Sequence, residues 1–252
     1  MTVFQIYLEI GAEGECLAHV LDLPGCVLRG ESLAEALEGM PDAIRAHIAW
    51  LRRHGEIVEE VEPLELRVVE TNQGFGPFRR GDRAALFPAD LLPPTHDEME
   101  NLYFKRANYA RQDLLELVQK LPAKVLDWRM EKGAMTIGEI LRHVGNAEQW
   151  YVSRLVPAET LPKEWEVDAD MPILGFLELE RRTTLDRLRQ LDEDELSAIT
   201  RPVHWTKYPE EPWTARKALR RMIEHELEHL AHIHYILDEY NNRTDGESDK
   251  VL

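Results

Sequence analysis

The sequence predicts an α+β protein in two parts, a small N-terminal βββαβ domain followed by a C-terminal four-helix bundle. Three observations predict it: short apolar runs bounded by turn residues up to residue 30, a Gly/Pro-rich stretch without sustained period at 71–97, and long segments of helical period beyond it. With 252 residues the chain is long enough for two domains of ordinary size, and 44% hydrophobic residues supply real cores.

Residues 3–10 and 16–21 read as strands around a turn at Gly11 to Glu15, and a short strand at 26–29 follows Leu23-Pro24-Gly25. Ser32, with Glu35 three residues on, is a capping-box signature. After it Leu33, Ala36, Leu37, Met40, Ile44, Ile48 and Leu51 recur at helical spacing, with a kink or break expected at Pro41. A fourth strand is expected at 64–70, which closes a domain at 1–70. The connector 71–97 carries Phe75, Phe78, Leu86, Phe87 and Leu91, so much of it is expected to be packed and not a free tether. Helical patterns then run at about 98–120, 136–156, 171–191 and 213–240, the last capped by Thr214, before a polar tail at 241–252.

A formal net charge of −17 argues against a nucleic-acid surface, because phosphate neutralisation needs clustered Lys and Arg. The basic cluster Arg216, Lys217, Arg220 and Arg221 falls mostly away from the inner stripe of its helix and is expected to be a solvated face. The two cysteines, Cys16 and Cys26, read as small buried residues in neighbouring strands, with a disulfide or redox couple as the alternative. With no signal peptide and no apolar run of spanning length, a reduced cytoplasm and no membrane partner are expected.

The chemistry concentrates in His225-Glu226-Leu227-Glu228-His229. Imidazoles four residues apart project from one side of a helix, which is the spacing of a metal clamp. Stepping about 100° per residue from Met222 puts Ala218, His229, Ile233 and Ile236 on the inner stripe with His225 beside them, His232 at its edge and His234 pointing away. Burying two imidazoles one turn apart is costly unless they share a partner. His143, in another helical run, supplies a third nitrogen, and three protein ligands with an open position are the pattern of a catalytic site. Glu226 lies near the inner stripe and has the chemistry of an acid, a base or a fourth ligand, with a structural carboxylate paired to Arg or Lys as the alternative. His204, Trp205, Tyr208 and Trp213 are candidates to wall a pocket at the mouth of the bundle or to cap its core. The literal His-Glu-x-x-His also spells a metalloprotease motif with Glu226 as general base. Against it, His232 and Tyr235 stand where the longer motif needs a glycine and a histidine, and no later helix carries a glutamate ligand.

The runs "TIGEILRHVGNAEQWYVSRL" and "WTARKALRRMIEHELEHLAHIHYIL" make residues 98–240 resemble the DinB-like superfamily of metal-binding four-helix bundles. That superfamily includes thiol-dependent S-transferases and mycothiol-dependent maleylpyruvate isomerases. The resemblance implies a ligand set of His143, His225 and His229, a divalent metal (zinc or nickel), a low-molecular-weight thiol and a small-molecule substrate. Where the family usually reads Gly-Gln-Ile after the second paired histidine, this chain has Ala231-His232-Ile233, which makes His232 a hydrogen-bond donor to a ligand or an alternative ligand. The stretch "DLPGCVLRGESLAEALEGMPDAIRAHIAWLRRHGE" resembles HicB-like antitoxin domains, small modules that bind protein partners. The DNA-binding segment that usually follows them is replaced here by the bundle, so dimerisation or covering of the bundle is the expected role. Two functions follow: a divalent-metal-dependent S-transferase or hydrolase of small molecules, or a non-catalytic stress-associated binding protein with a structural or vestigial metal site.

Overall fold

The computed structural model describes residues 2–59, 61–74, 85–161, 171–206 and 208–243, in two compact units, Met1–Pro93 and Pro94–Leu252. Phe75 and Phe78 of the connector, residues 162–170 of the loop after the second bundle helix, and residues 244–252 of the tail lie outside the described residues.

The first unit holds β1 (Thr2–Ile10), β2 (Cys16–His19), β3 (Val27–Gly30), α1 (Leu33–Arg53) and β4 (Leu64–Gln73). The sheet order is β3-β2-β1-β4. β1 pairs antiparallel with β2 and β2 with β3, whereas β4 lies parallel to β1. β4 runs to Gln73, past the expected residue 70, because Gln73 still pairs with Ile10. Alternation puts Phe4, Ile6 and Leu8 of β1 on one face, where they share a core with Ala36, Met40, Ile44 and Ile48 of α1. Gly30 allows α1 to start hard against the sheet, since a Cβ there would sit 2.6 Å from the Ala36 nitrogen.

Ser32 Oγ accepts from the Glu35 amide (3.2 Å), while the Glu35 carboxylate takes the Glu31 amide (2.9 Å), one residue before the cap itself. The break expected at Pro41 does not occur, and α1 continues through it. Proline removes one N–H and crowds the Leu37 carbonyl, but buried Ala36 and Met40 before it and Ile44, Ile48 and Leu51 after it hold both halves to one core. Both cysteines are buried thiols outside any disulfide, and burial together with nearby Glu9 pushes the Cys16 thiol up to about 11. Phe87 is fully buried, with its ring 5.3 Å from that of Tyr7 and 5.5 Å from that of His19, whereas Leu91 is exposed. The Ala85 amide donates to Glu9 Oε2 (2.7 Å).

In the second unit a wide π-type turn, Met99–Phe104, leads into α2 (Lys105–Val118). The other long helices are α3 (Ile137–Val152), α4 (Ile173–Arg189) and α5 (Ala215–Arg243). α3 packs on α4 and on α5, and α5 packs on α2. Thr136 and Glu139 form a reciprocal cap at the start of α3 (3.1 and 2.8 Å), and Thr214 Oγ1 accepts from the Lys217 amide (3.2 Å) as the cap of α5. Short helices at Ala123–Leu126 and Glu193–Ser197, and a single antiparallel bridge between Thr200 and Trp213, fill loops that carry no period of their own.

The bundle core comes in two apolar clusters. One includes Met99, Phe104, Tyr151, Leu188 and Met222, and the other Leu114, Leu141, Phe176, Ile233 and Leu237. On each long helix buried polar residues stand between the two clusters: Arg111, Glu148, Glu180 with Arg181, and Glu224 to Glu226. A belt of buried charge therefore crosses the bundle, and it lies at the level of the histidines.

The basic cluster at the start of α5 corrects the sequence reading. Lys217, Arg220 and Arg221 are buried, not a solvated face, and only Arg216 is half-exposed. From Ala215 to Glu226 every residue but Arg216 is buried, so this part of the helix has no outer face and a stripe argument does not apply to it. Acids compensate the cations: Lys217 reaches Glu211 (2.9 Å) and lies 4.0 Å over the Trp213 ring, and Arg221 reaches Glu224 (2.5 Å).

Candidate metal centre

His143 stands on α3, and His225 and His229 on α5. α3 presents His143 because its buried stripe of Ile140, Leu141, Val144 and Glu148 turns that residue to the margin, where it is exposed, while His225 is buried and His229 is half-buried. The Nε2 atoms face one another, 3.0 Å apart for His143 and His225 and 3.1 Å for His225 and His229. The ring centroids lie 4.4–4.9 Å apart. A metal at tetrahedral angles with bonds of about 2.1 Å needs nitrogens roughly 3.4 Å apart, so the cluster is within a few tenths of an ångström of that spacing.

The donor set fits a cation. Nε2 of a neutral imidazole offers either one proton or one lone pair, so His225 Nε2 cannot make a full hydrogen bond to two other ε nitrogens at once. A divalent ion between them would take a lone pair from each.

Glu226 follows His225 in sequence but turns about 100° away from it into the charge belt. Its Oε1 accepts from Arg111 Nε (2.6 Å), and its Oε2 accepts from Arg181 Nη2. Glu148 Oε1 accepts from both arginines as well, from Arg111 Nη2 at 2.6 Å and from Arg181 Nε at 2.8 Å. The remaining guanidinium donors meet main chain, with Arg111 Nη1 on the Leu177 carbonyl (2.5 Å) and Arg181 Nη1 on that of Ala107. Burial by itself would push the Glu226 carboxyl up, but Arg111 and Arg181 outweigh it and hold the group below the usual carboxylate range. These contacts are those of a structural carboxylate; an acid, base or fourth-ligand role does not fit them, and the same holds for the general base of a protease.

His232 is exposed, its ring 6.3 Å from that of His229, and it is not one of the clustered ligand atoms. None of His204, Trp205, Tyr208 and Trp213 lines the groove beside His143. Trp213 is core, Trp205 is exposed with φ 51° and its carbonyl accepts from the Trp150 indole (2.8 Å), and the His204 carbonyl accepts from Arg154 (2.7 Å). The space beside His143 is instead an open groove of about 710 Å³, lined by Arg129, Gly138, Glu139, Arg142, Asn146 and Ile173 among others. The sequence reading missed both the groove and the Arg111–Glu148–Arg181–Glu226 network. The network had a readable signal, since each long helix carries a charged residue on its apolar period, and Arg111, Glu148, Arg181 and Glu226 sum to zero.

A family model described as the DinB superfamily matches residues 106–233, a range that contains all three histidines. The chain belongs to the DinB superfamily. The N-terminal region of this DinB-superfamily protein is similar to the UPF0150 protein Ta0767 of Thermoplasma acidophilum, a HicB-like relative. Identity there is 31% over 65 residues, which cover 26% of this chain and 94% of the relative. A solved four-helix bundle protein, TT2238, aligns with 56% of this chain and 99% of its own at 20% identity, with a TM-score of 0.41. Among the described residues no helix is long and apolar enough to cross a membrane.

Proposed function

We propose that this DinB-superfamily chain is a divalent-metal-dependent transferase acting on small thiols and electrophilic substrates. The observation that supports it is the convergence of three imidazole Nε2 atoms from two helices, with the His143 end of the cluster open to a groove. His143, His225 and His229 would hold zinc or nickel as three neutral imidazoles, and the ion would supply an undiminished positive charge that lowers the pKa of a bound thiol or water. His225 forms the buried floor of the cluster, with the Tyr151 ring 5.9 Å away shielding its inner side. His143 forms the accessible side. A small-molecule substrate is the partner that suits a groove of this size, and a chain of charge −17 does not suit a phosphate backbone. For the HicB-like N-terminal unit we propose contact with a second copy of the chain.

The test begins with metal analysis of the purified protein and continues with a panel of bacillithiol, mycothiol, glutathione and cysteine. Each is offered with a generic electrophile and added zinc, nickel or manganese. Metal-dependent transfer that is lost in His225→Ala and His229→Ala, with far-UV circular dichroism unchanged, is the expected result. If the His225→Ala protein differs from the parent only in melting temperature, the metal is structural and the non-catalytic binding role replaces the enzymatic one.

A further inference from the structure

Arg142 precedes His143 on α3 and lines the same groove. Its guanidinium lies 4.6 Å over the Phe176 ring, and one Nη2 hydrogen donates to the Met171 carbonyl. Phe176 is itself fixed, because it packs straight onto Gly145, where a Cβ would come within 2.3 Å of ring atom Cε1. The stack and the carbonyl thus hold the guanidinium plane in place. The other arginine of the groove is committed: Arg129 donates to Glu139 Oε1 (2.8 Å) and to the Ala134 carbonyl. Among the described residues Arg142 meets no carboxylate. A half-buried, orientated guanidinium with most of its donors unspent, next to a ligand histidine, has the geometry for bidentate capture of a carboxylate. Asp127 also lines the groove, so any preference has to come from the fork of donors and not from a positive field.

We propose that Arg142 anchors a carboxylate on the small molecule that reaches the histidine cluster, so that carboxylate-bearing thiols are the ligands this groove selects. This rests on the metal-dependent thiol reading above and names its substrate class. Arg142 is a specificity residue that binds the non-reacting end of the thiol.

Cobalt(II) loaded into the full chain gives a visible spectrum that reports thiolate binding without turnover. Titration with 3-mercaptopropionate and with its neutral amide, 3-mercaptopropionamide, should show the acid binding on the order of ten-fold tighter, the value of a charge-assisted pair. In Arg142→Met that ratio should fall to near one with the unliganded cobalt spectrum unchanged, and Arg142→Lys, which keeps the charge but loses the fork, should fall between. Equal binding of the two thiols by the parent, or an undiminished ratio in Arg142→Met, overturns the proposal. If cobalt produces no ligand-field spectrum, the metal reading fails, and the anchor is judged separately on metal-free, 15N-labelled protein. There propionate, but not propanol, should move the Arg142 Nε–H resonance, and an unmoved resonance sinks the anchor.

Discussion

Replacing Glu226 by Gln should destabilise the bundle strongly without removing any of the three imidazoles. The belt contains two guanidinium groups and two carboxylates, all at most 6% exposed, so it is neutral as a set. Glutamine is nearly isosteric, but it removes one negative charge and turns one acceptor into an NH2 that faces an arginine donor. Arg111 and Arg181 are then left with Glu148 alone, a net positive charge in the interior. Breaking a buried pair from one side costs about 3–5 kcal/mol, a large part of the roughly 5–15 kcal/mol that holds an ordinary domain together. Urea unfolding followed by far-UV circular dichroism gives the number, read as a shift of midpoint at constant slope. Removing the opposite charge as well, in Glu226→Leu with Arg181→Met, should recover much of the loss, since an apolar pair of similar volume replaces a buried ion pair at little cost. A loss below about 1 kcal/mol in Glu226→Gln, or a double variant as unstable as the sum of its singles, would refute the view that these four residues act as one neutral unit.

Two further perturbations test neighbouring parts of the bundle. Glu180 is fully buried beside the belt, where burial, reinforced by Glu148 and opposed by the Gln149 hydrogen bond (2.7 Å) and by Arg111, pushes its carboxyl up to about 7 from 4.5. The folded state therefore holds this proton more tightly than the unfolded one. Stability rises as the pH falls from about 7 towards about 4.5, and above pH 7 the ionised group costs up to roughly 3 kcal/mol. Glu180→Gln should raise the melting temperature at pH 8 and flatten its dependence over that window; an unchanged pH profile counts against the assignment. Gly145→Ala drives a methyl into the Phe176 ring and should cost about 1–3 kcal/mol in the same urea assay. A neutral result would show that the ring is free to move and would weaken the case for a fixed Arg142.

The parts of this fold that were legible in the sequence are those governed by a single period. Phe4, Ile6 and Leu8 alternate, Met40, Ile44 and Ile48 recur every turn, and the caps Ser32 and Thr214 stand where the helical pattern begins, so strands, helices and their starts could all be read. The histidine cluster was legible for the same reason, because imidazoles four apart share a side and needed only one partner helix. What could not be read required knowledge of neighbours. Pro41 sits inside a helix because packing on both sides of it outweighs the local penalty. Lys217, Arg220 and Arg221 are buried because the start of α5 is surrounded, a property of the assembled fold and not of any helical wheel.

The pair His225-Glu226 shows how one helix serves both the candidate metal site and the fold. Adjacent residues on a helix diverge by about 100°, so a histidine facing its cluster forces the next side chain towards a different neighbour. Here that neighbour is the charge belt, and its four members come one from each long helix: Arg111 from α2, Glu148 from α3, Arg181 from α4 and Glu226 from α5. Hydrogen bonds between ions in a dry interior are directional and tolerate little sliding or rotation. Glu148 stands five residues after His143, and Glu226 stands beside His225 and three residues before His229. A belt that fixes the height and rotation of α3 and α5 therefore also fixes where the three Nε2 atoms meet. Shifting either helix by one residue would move its imidazole about 1.5 Å along the axis and 100° around it, enough to dissolve the cluster. The carboxylate that the motif alone would assign to chemistry instead keeps the two histidine-bearing helices in register.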